Sequence, residues 1–242
     1  MSGGVTESAY ASLNEAAAND ILQPNTSAAQ AAEFMLSQVL QQPGARHAQW
    51  AMTVENPRQM RIWAAWDSVQ DHVNYQQTEV YAEVQQQLLA IFDLSAPFSV
   101  CHLEPSNTAL FVTDAKTHPV VETLTMGFPE DIDSAAKAEV EAQFQRFADK
   151  ALRLPGLCKS ILTAWSVESN VPLPGLETGS GARNGTVYSV MTSWRSVDEL
   201  EQNKELPAFK ASIHLLKTLP GLVNLDAVHV VDVTSGLADK SH

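Results

Sequence analysis

The feature that most constrains this chain is that it states one pattern twice. A helical stretch ends in Gln42-Pro43-Gly44-Ala45 and another ends in Leu154-Pro155-Gly156-Leu157, 112 residues later. An apolar strand ends in Ala64-Ala65-Trp66-Asp67-Ser68-Val69 and another in Thr192-Ser193-Trp194-Arg195-Ser196-Val197, 128 residues later. The offsets differ by an insertion, residues 168–185, whose Pro, Gly and Ser content reads as a loop.

Each copy predicts the order β-α-β-β-α-β. In the first, a strand over Glu7–Leu13 precedes a helix over Ala28–Gln41, with Ser27 as N-cap and Gln30 completing a capping box. Pro43-Gly44 stops that helix. Strands over Ala45–Val54 and Gln59–Trp66 follow. A helix capped by Ser68 then covers Val69–Phe92, with a break near Thr78, and the last strand is Phe98–Leu103. In the second copy the strand Val120–Phe128 leads into a helix capped by Asp133 or Ser134. Its residues Ala136, Val140, Phe144, Phe147 and Ala151 form a stripe at helical period. Strands Leu157–Val167 and Thr186–Trp194, a helix Val197–Leu219 interrupted at Pro207, and a strand Leu225–Val233 complete it. The expected fold class is α+β. Two ferredoxin-like copies, residues 5–104 and 120–235, would pack sheet to sheet as a single-chain pseudo-dimeric barrel, because a four-stranded sheet with both helices on one face needs its other face covered. Residues 105–119 form the linker, whose Ala109-Leu110-Phe111-Val112 is expected to pack as an extra strand or strap, and 236–242 reads as a frayed tail.

Composition narrows the function. The 242 residues carry a net charge of −13, and residues 1–112 hold three arginines (Arg46, Arg58, Arg61), no lysine and 11 acids. No basic cluster fits a nucleic-acid groove or an anionic membrane face. Apolar runs stay short of a membrane span and the N-terminus lacks a secretory signal, so a soluble, cytoplasmic protein is expected. Two cysteines, Cys101 and Cys158, make neither a disulfide framework nor a four-thiolate zinc site. No chelating His or carboxylate spacing, glycine-rich phosphate loop or serine elbow is visible. The expectation is therefore no metal and no cofactor, with a small apolar molecule as partner.

Candidate residues follow from spacing. His72 and Tyr75 lie three apart on one helix face. An imidazole can shuttle a proton and a phenol can donate to a developing enolate. Tyr81 joins them if the helix breaks between. His47 and Gln49 share one strand face, and Arg46, Ala48 and Trp50 the other. His47 is a second candidate shuttle, Gln49 and Trp50 are candidate ligand contacts, and Arg61 is a candidate anion anchor. Trp66 reads as core or cavity wall, and His102 as a strand histidine near the ligand. Each also has a purely structural reading: a packed helix face for His72 and Tyr75, and an ion pair for Arg61. His214 and His229 read as structural.

The run Pro-Gly, strand, turn, strand ending in Trp66-Asp67-Ser68, then Asp71-His72-Val73-Asn74-Tyr75, resembles the dimeric α+β barrel superfamily. That group includes antibiotic-biosynthesis-monooxygenase-like domains and small polyketide cyclases, and the tandem copy is similar to proteins of fungal natural-product pathways. Against cyclases of the olivetolic acid type, Trp66-Asp67-Ser68-Val69 places Tyr75 at the catalytic tyrosine, with Tyr81 where the family has histidine. Asn203 and Phe209 occupy these places in the second copy. The resemblance implies a cofactor-independent cyclase or isomerase, including pericyclic chemistry, acting on a polyketide- or terpenoid-type product. It also leaves open a cofactor-free aromatic monooxygenase, a non-catalytic ligand carrier, a haem binder, and further homodimer formation.

Overall fold

A computed structural model describes residues 4–105, 117–153, 158, 160–173, 184–231 and 234–237. Two compact units emerge. One runs from residue 4 through residue 105 and takes in the strand at 234–237, and the other spans 117–230.

The first unit begins with β1 (Val5–Ser12), a short helix α1 (Glu15–Asp20) and α2 (Ser27–Leu40). The strands β2 (Ala45–Met52) and β3 (Gln59–Trp66), helices α3 (Val69–Gln76) and α4 (Glu79–Ile91), and β4 (Ser99–Glu104) follow. β1 lies between β3 and β4, and β2 flanks β3, all antiparallel. This is the ferredoxin-like order. A fifth strand, β10 (Thr234–Leu237), pairs with β2, so residues 236 and 237 belong to a sheet rather than to a frayed end. The remaining tail and the 109–112 patch lie outside the described residues.

Side-chain caps set the helix starts. Thr26, not Ser27, caps α2 by accepting from the Ala29 N–H. Ser68 caps α3 and Thr78 caps α4, so the break expected near Thr78 separates two capped helices. Gly44 ends the α2 turn with φ +80, and a Cβ there would meet the Asp71 side chain at 2.5 Å. That close approach, with the Asp67 N–H donating to the Gly44 carbonyl at 2.7 Å, fixes the start of α3 against the end of β3. The helix α1, unforeseen from the sequence, is capped by Asn14 and buries Ala17.

Alternation along the strands divides the sheet. Val5, Ala48, Trp50, Met52, Met60, Ala64 and Trp66 join the core beneath the helices with Ala32, Met35, Leu36 and Val39. Thr6, His47, Gln49, Arg61, Trp63 and Cys101 alternate onto the opposite face and are also buried.

The second unit repeats the path with β5 (Val120–Phe128), α5 (Ser134–Ala151), β6 (Ile161–Ser166), the two-residue β7 (Val171–Pro172), β8 (Asn184–Trp194), α6 (Val197–Glu205), α7 (Pro207–Lys217) and β9 (Asn224–Val230). β5 lies between β8 and β9, and β6 flanks β8. Asp133 caps α5, and Pro207 opens α7 where an interruption was expected. The described part of the insertion contributes β7, which pairs with the start of β8. Among the described residues, no helix is long and apolar enough to cross a membrane.

Candidate functional site

Beneath the helices of the first unit lies a cavity of about 380 Å³. Its floor is Glu7, Ala9 and Ala11 of β1, with Ala48, Ile62 and Ala64 of the neighbouring strands. Its roof comes from α2 (Met35, Leu36, Val39), α3 (His72, Tyr75) and one face of α4 (Tyr81, Val84, Leu88). Short side chains on β1 are what leave the space: successive inward positions after Glu7 are alanines.

The two ends differ. At the inner end Glu7 accepts a hydrogen bond from the Trp66 indole N–H at 3.0 Å and lies 3.4 Å from His72 Nε2. His72 Nδ1 meets His102 Nε2 at 2.8 Å, and the His72 ring stacks on Trp66 with centroids 5.2 Å apart. His72 and Tyr75 are each at most 4% exposed. The Tyr75 ring packs edge-on against Tyr81 at 5.2 Å. Its hydroxyl, buried and bordering the cavity, has no hydrogen-bond partner among the described residues. Burial first, then the Glu7 carboxylate and Tyr81, raises the Tyr75 phenol far above its ordinary value. Burial and Glu7 also raise Tyr81, against a hydrogen bond from Gln76. Both phenols therefore stay protonated at neutral pH and can act as donors.

At the outer end the wall is Leu89, Phe92, Leu94, Pro97 and Phe98, of which Leu94 is 71% exposed. Asp93 is paired here with Arg58 at 3.0 Å, and hydrogen bonds from Ser95, then the Arg58 charge, hold its carboxyl below the usual range. Hydrogen bonds from Asp93 N–H to the Ser12 carbonyl and from Arg58 Nε to the Leu13 carbonyl tie this rim to the end of β1.

The structure thus gathers His72, Tyr75, Tyr81, Trp66 and His102 at one place. His47, Gln49 and Arg61 do not join them, because they alternate onto the sheet face away from the helices. Burial lowers His47 to about 4, so it stays neutral there. Arg61 stacks over the Tyr10 ring at 5.0 Å and donates to Gln59, so it is no anion anchor for this cavity. Trp50 is on the helix side but packs into the core without lining the cavity. Cys158 is pushed up to about 12 by burial, which removes it as a nucleophile at neutral pH. Among the described residues, no group of three or more His, Cys, Asp or Glu could hold a metal ion.

Glu7 went unweighed in the sequence, yet the repeat carries a signal for it. Val5 pairs with Trp66 and Val120 with Trp194, so Glu7 corresponds to Glu122. His102 faces Glu7 and His229 faces Glu122 in the same way. In the second unit His229 Nε2 lies 3.5 Å from Glu122, Lys204 Nζ lies 4.0 Å away, and Thr192 donates to the carboxylate. Leu200 and Asn203 stand where the first unit has His72 and Tyr75.

No family model matches the chain, and no curated protein matches it in sequence. Solved structures do share the fold. An anthrone oxidase-like protein superposes with a TM-score of 0.62 at 11% identity, covering 100% of this chain and 98% of its own. A proposed monooxygenase from Fusobacterium nucleatum gives 0.57 at 9%, covering 97% and 95%. Another from Lactobacillus acidophilus gives 0.56 at 7%, covering 97% and 96%. At these identities the likeness is one of fold: the chain is an α+β protein of ferredoxin-like architecture.

Proposed function

We propose that the chain is a cofactor-independent enzyme that moves a proton next to a carbonyl group in a small apolar molecule, and so isomerises or cyclises it. The observation that carries this reading is the Tyr75 hydroxyl, buried, protonated and, among the described residues, unpartnered at the edge of an apolar cavity. A buried polar group without a partner costs on the order of 1–3 kcal/mol, which a ligand carbonyl accepting from it would recover.

The roles divide as follows. Tyr75 donates to the carbonyl oxygen and stabilises the negative charge that develops there. Glu7 takes the proton from the adjacent carbon. Its Oε2 is held by the Trp66 N–H and His72, which orients the carboxylate toward the cavity. His72 and its partner His102 position Glu7 and spread the incoming proton. Returning the proton at another carbon gives an isomer. Attack of the enolate carbon on a second carbonyl of the same molecule forms a ring bond; the new alkoxide takes a proton from Tyr75, and the proton held on Glu7 returns to Tyr75, so both groups end as they began. Neither outcome changes the oxidation level, so neither needs a redox partner. The apolar walls exclude water and hold the substrate in one conformation. The polyketide or terpenoid origin of the substrate stays part of the proposal and is supported by the resemblance alone.

Anthrone, a neutral ketone whose acidic methylene is conjugated with the carbonyl across the ring, serves as a vinylogous probe of the same proton transfer. In D₂O without oxygen, the protein should accelerate deuterium exchange at that methylene, read by proton NMR. Tyr75→Phe should slow the exchange at least about tenfold with the fold intact. Unchanged exchange in that variant would remove Tyr75 from the chemistry. Oxygen uptake and oxidised product on admitting air would instead favour the monooxygenase reading, to which the fold likeness to an anthrone oxidase-like protein lends support.

A further inference from the structure

The electrostatics and layout of this cavity select its ligand. We infer that it takes a neutral, elongated aliphatic ketone or aldehyde, carbonyl inward at Tyr75 and tail outward between Leu89, Leu94 and Phe98, and that it rejects the matching carboxylate. This rests on the cavity being the functional site, as in the proposed function.

Length comes from the floor. Glu7 and Ser12, both at the cavity wall, lie five strand steps apart, or roughly 16 Å. Polarity sets the orientation. Glu7, His72, Tyr75 and Tyr81 cluster at the inner end, while the polar residues of the outer end are engaged at the rim, Asp93 by Arg58 and Ser95 and the Ser12 carbonyl by the Asp93 N–H. Leu89, Leu94 and Phe98 at the other end are 47%, 71% and 54% exposed, and an alkyl tail leaving the cavity would cover them.

Charge sets the class. Among the described residues no lysine or arginine lines the cavity. Residues 1–112 hold no lysine, and each arginine there is engaged elsewhere. Arg46 pairs with Asp67, Arg58 pairs with the rim acid Asp93, and Arg61 lies over Tyr10 on the far face of the sheet. A ligand carboxylate at the inner end would lose its hydration beside the Glu7 carboxylate, with His72 already engaged by Glu7 and His102 and the neutral phenols left as donors, and burying an anion without a cationic partner is strongly unfavourable. A carbonyl needs only the Tyr75 donor.

Calorimetric titration at pH 8 with 2-undecanone and with decanoate, which have equal numbers of heavy atoms, tests this. The ketone should bind at least about tenfold more tightly, and across 2-heptanone to 2-undecanone affinity should rise about fourfold per methylene. Ala9→Leu, which narrows the floor, should abolish ketone binding while thermal unfolding shows a folded protein. Decanoate binding as tightly as the ketone would overturn the inference. So would ketone binding that Ala9→Leu leaves unchanged. Neither result depends on turnover, so loss of the proton-transfer reading in the anthrone assay and loss of this one are separate outcomes.

Discussion

The two units follow one chain path and part company in what fills the space under their helices. The paired registers make the difference specific. Where β1 has Ala9 and Ala11, β5 has Leu124 and Met126, both buried. Counted from the two Pro-Gly stops, Ala32 and Met35 of α2 correspond to Phe144 and Phe147 of α5. Phe144 packs edge-on to Tyr188, and Phe147 packs on Phe209, the residue at the Tyr81 position. The second unit has spent this volume on an aromatic core, and the first has left it as a cavity. The polar residues diverge in step. Both units keep the Glu–His pair across the central strands, but only the first adds a histidine and two phenols from the helices. A fold that closes well in one copy has been hollowed in the other, and the hollow is where the donors converge.

This contrast yields predictions of decreasing size. Phe144→Ala gives the second unit the side chain that the first has at that place. It should cost about 3–5 kcal/mol of stability by denaturant unfolding and leave anthrone exchange untouched. A loss of exchange with the fold intact would mean that the second unit takes part in the chemistry.

The next prediction concerns pH. His47 is held at about 4 by burial, against 6.5 when unfolded, and Ser160 occupies its place in the second unit. Above pH 6.5 the residue is neutral in both states. As pH falls from there toward 4 the unfolded chain takes up the proton and the folded chain does not. Stability should therefore fall by on the order of 3 kcal/mol across that window. Urea midpoints at pH 7 and pH 4.5 measure the fall, and His47→Gln should flatten it. An unaltered slope in His47→Gln would assign the loss to other groups.

Glu7→Gln should slow anthrone exchange about a hundredfold, whereas Glu122→Gln should leave the rate at wild type. Equal losses in the two variants would erase the functional distinction between the units.

Much of this architecture was legible in the chain because the repeat, the Pro-Gly stops and the Ser68 and Asp133 caps are local signals. Helix spacing and the break at Thr78 brought His72, Tyr75 and Tyr81 together on paper. Strand parity was legible as well, grouping His47 with Gln49. Which parity faces the helices was not, since that depends on pairing between distant strands, and so the chain alone did not tell that His47, Gln49 and Arg61 lie on the face away from this cavity. Glu7 was overlooked for a related reason. A single acid in a strand acquires meaning only when His72 and Trp66, about sixty residues away, arrive beside it. Helix α1 was missed because its six residues lack an apolar period, and tertiary packing of Ala17 decides it.

The most direct test is to fill the hollow with the other unit's own side chains. An Ala9→Leu/Ala11→Met double variant should keep or raise the thermal unfolding midpoint, as cavity filling does, while its anthrone exchange falls to the uncatalysed rate. A well-folded double variant exchanging at the wild-type rate would show that the space under the first unit's helices is not where the chemistry happens.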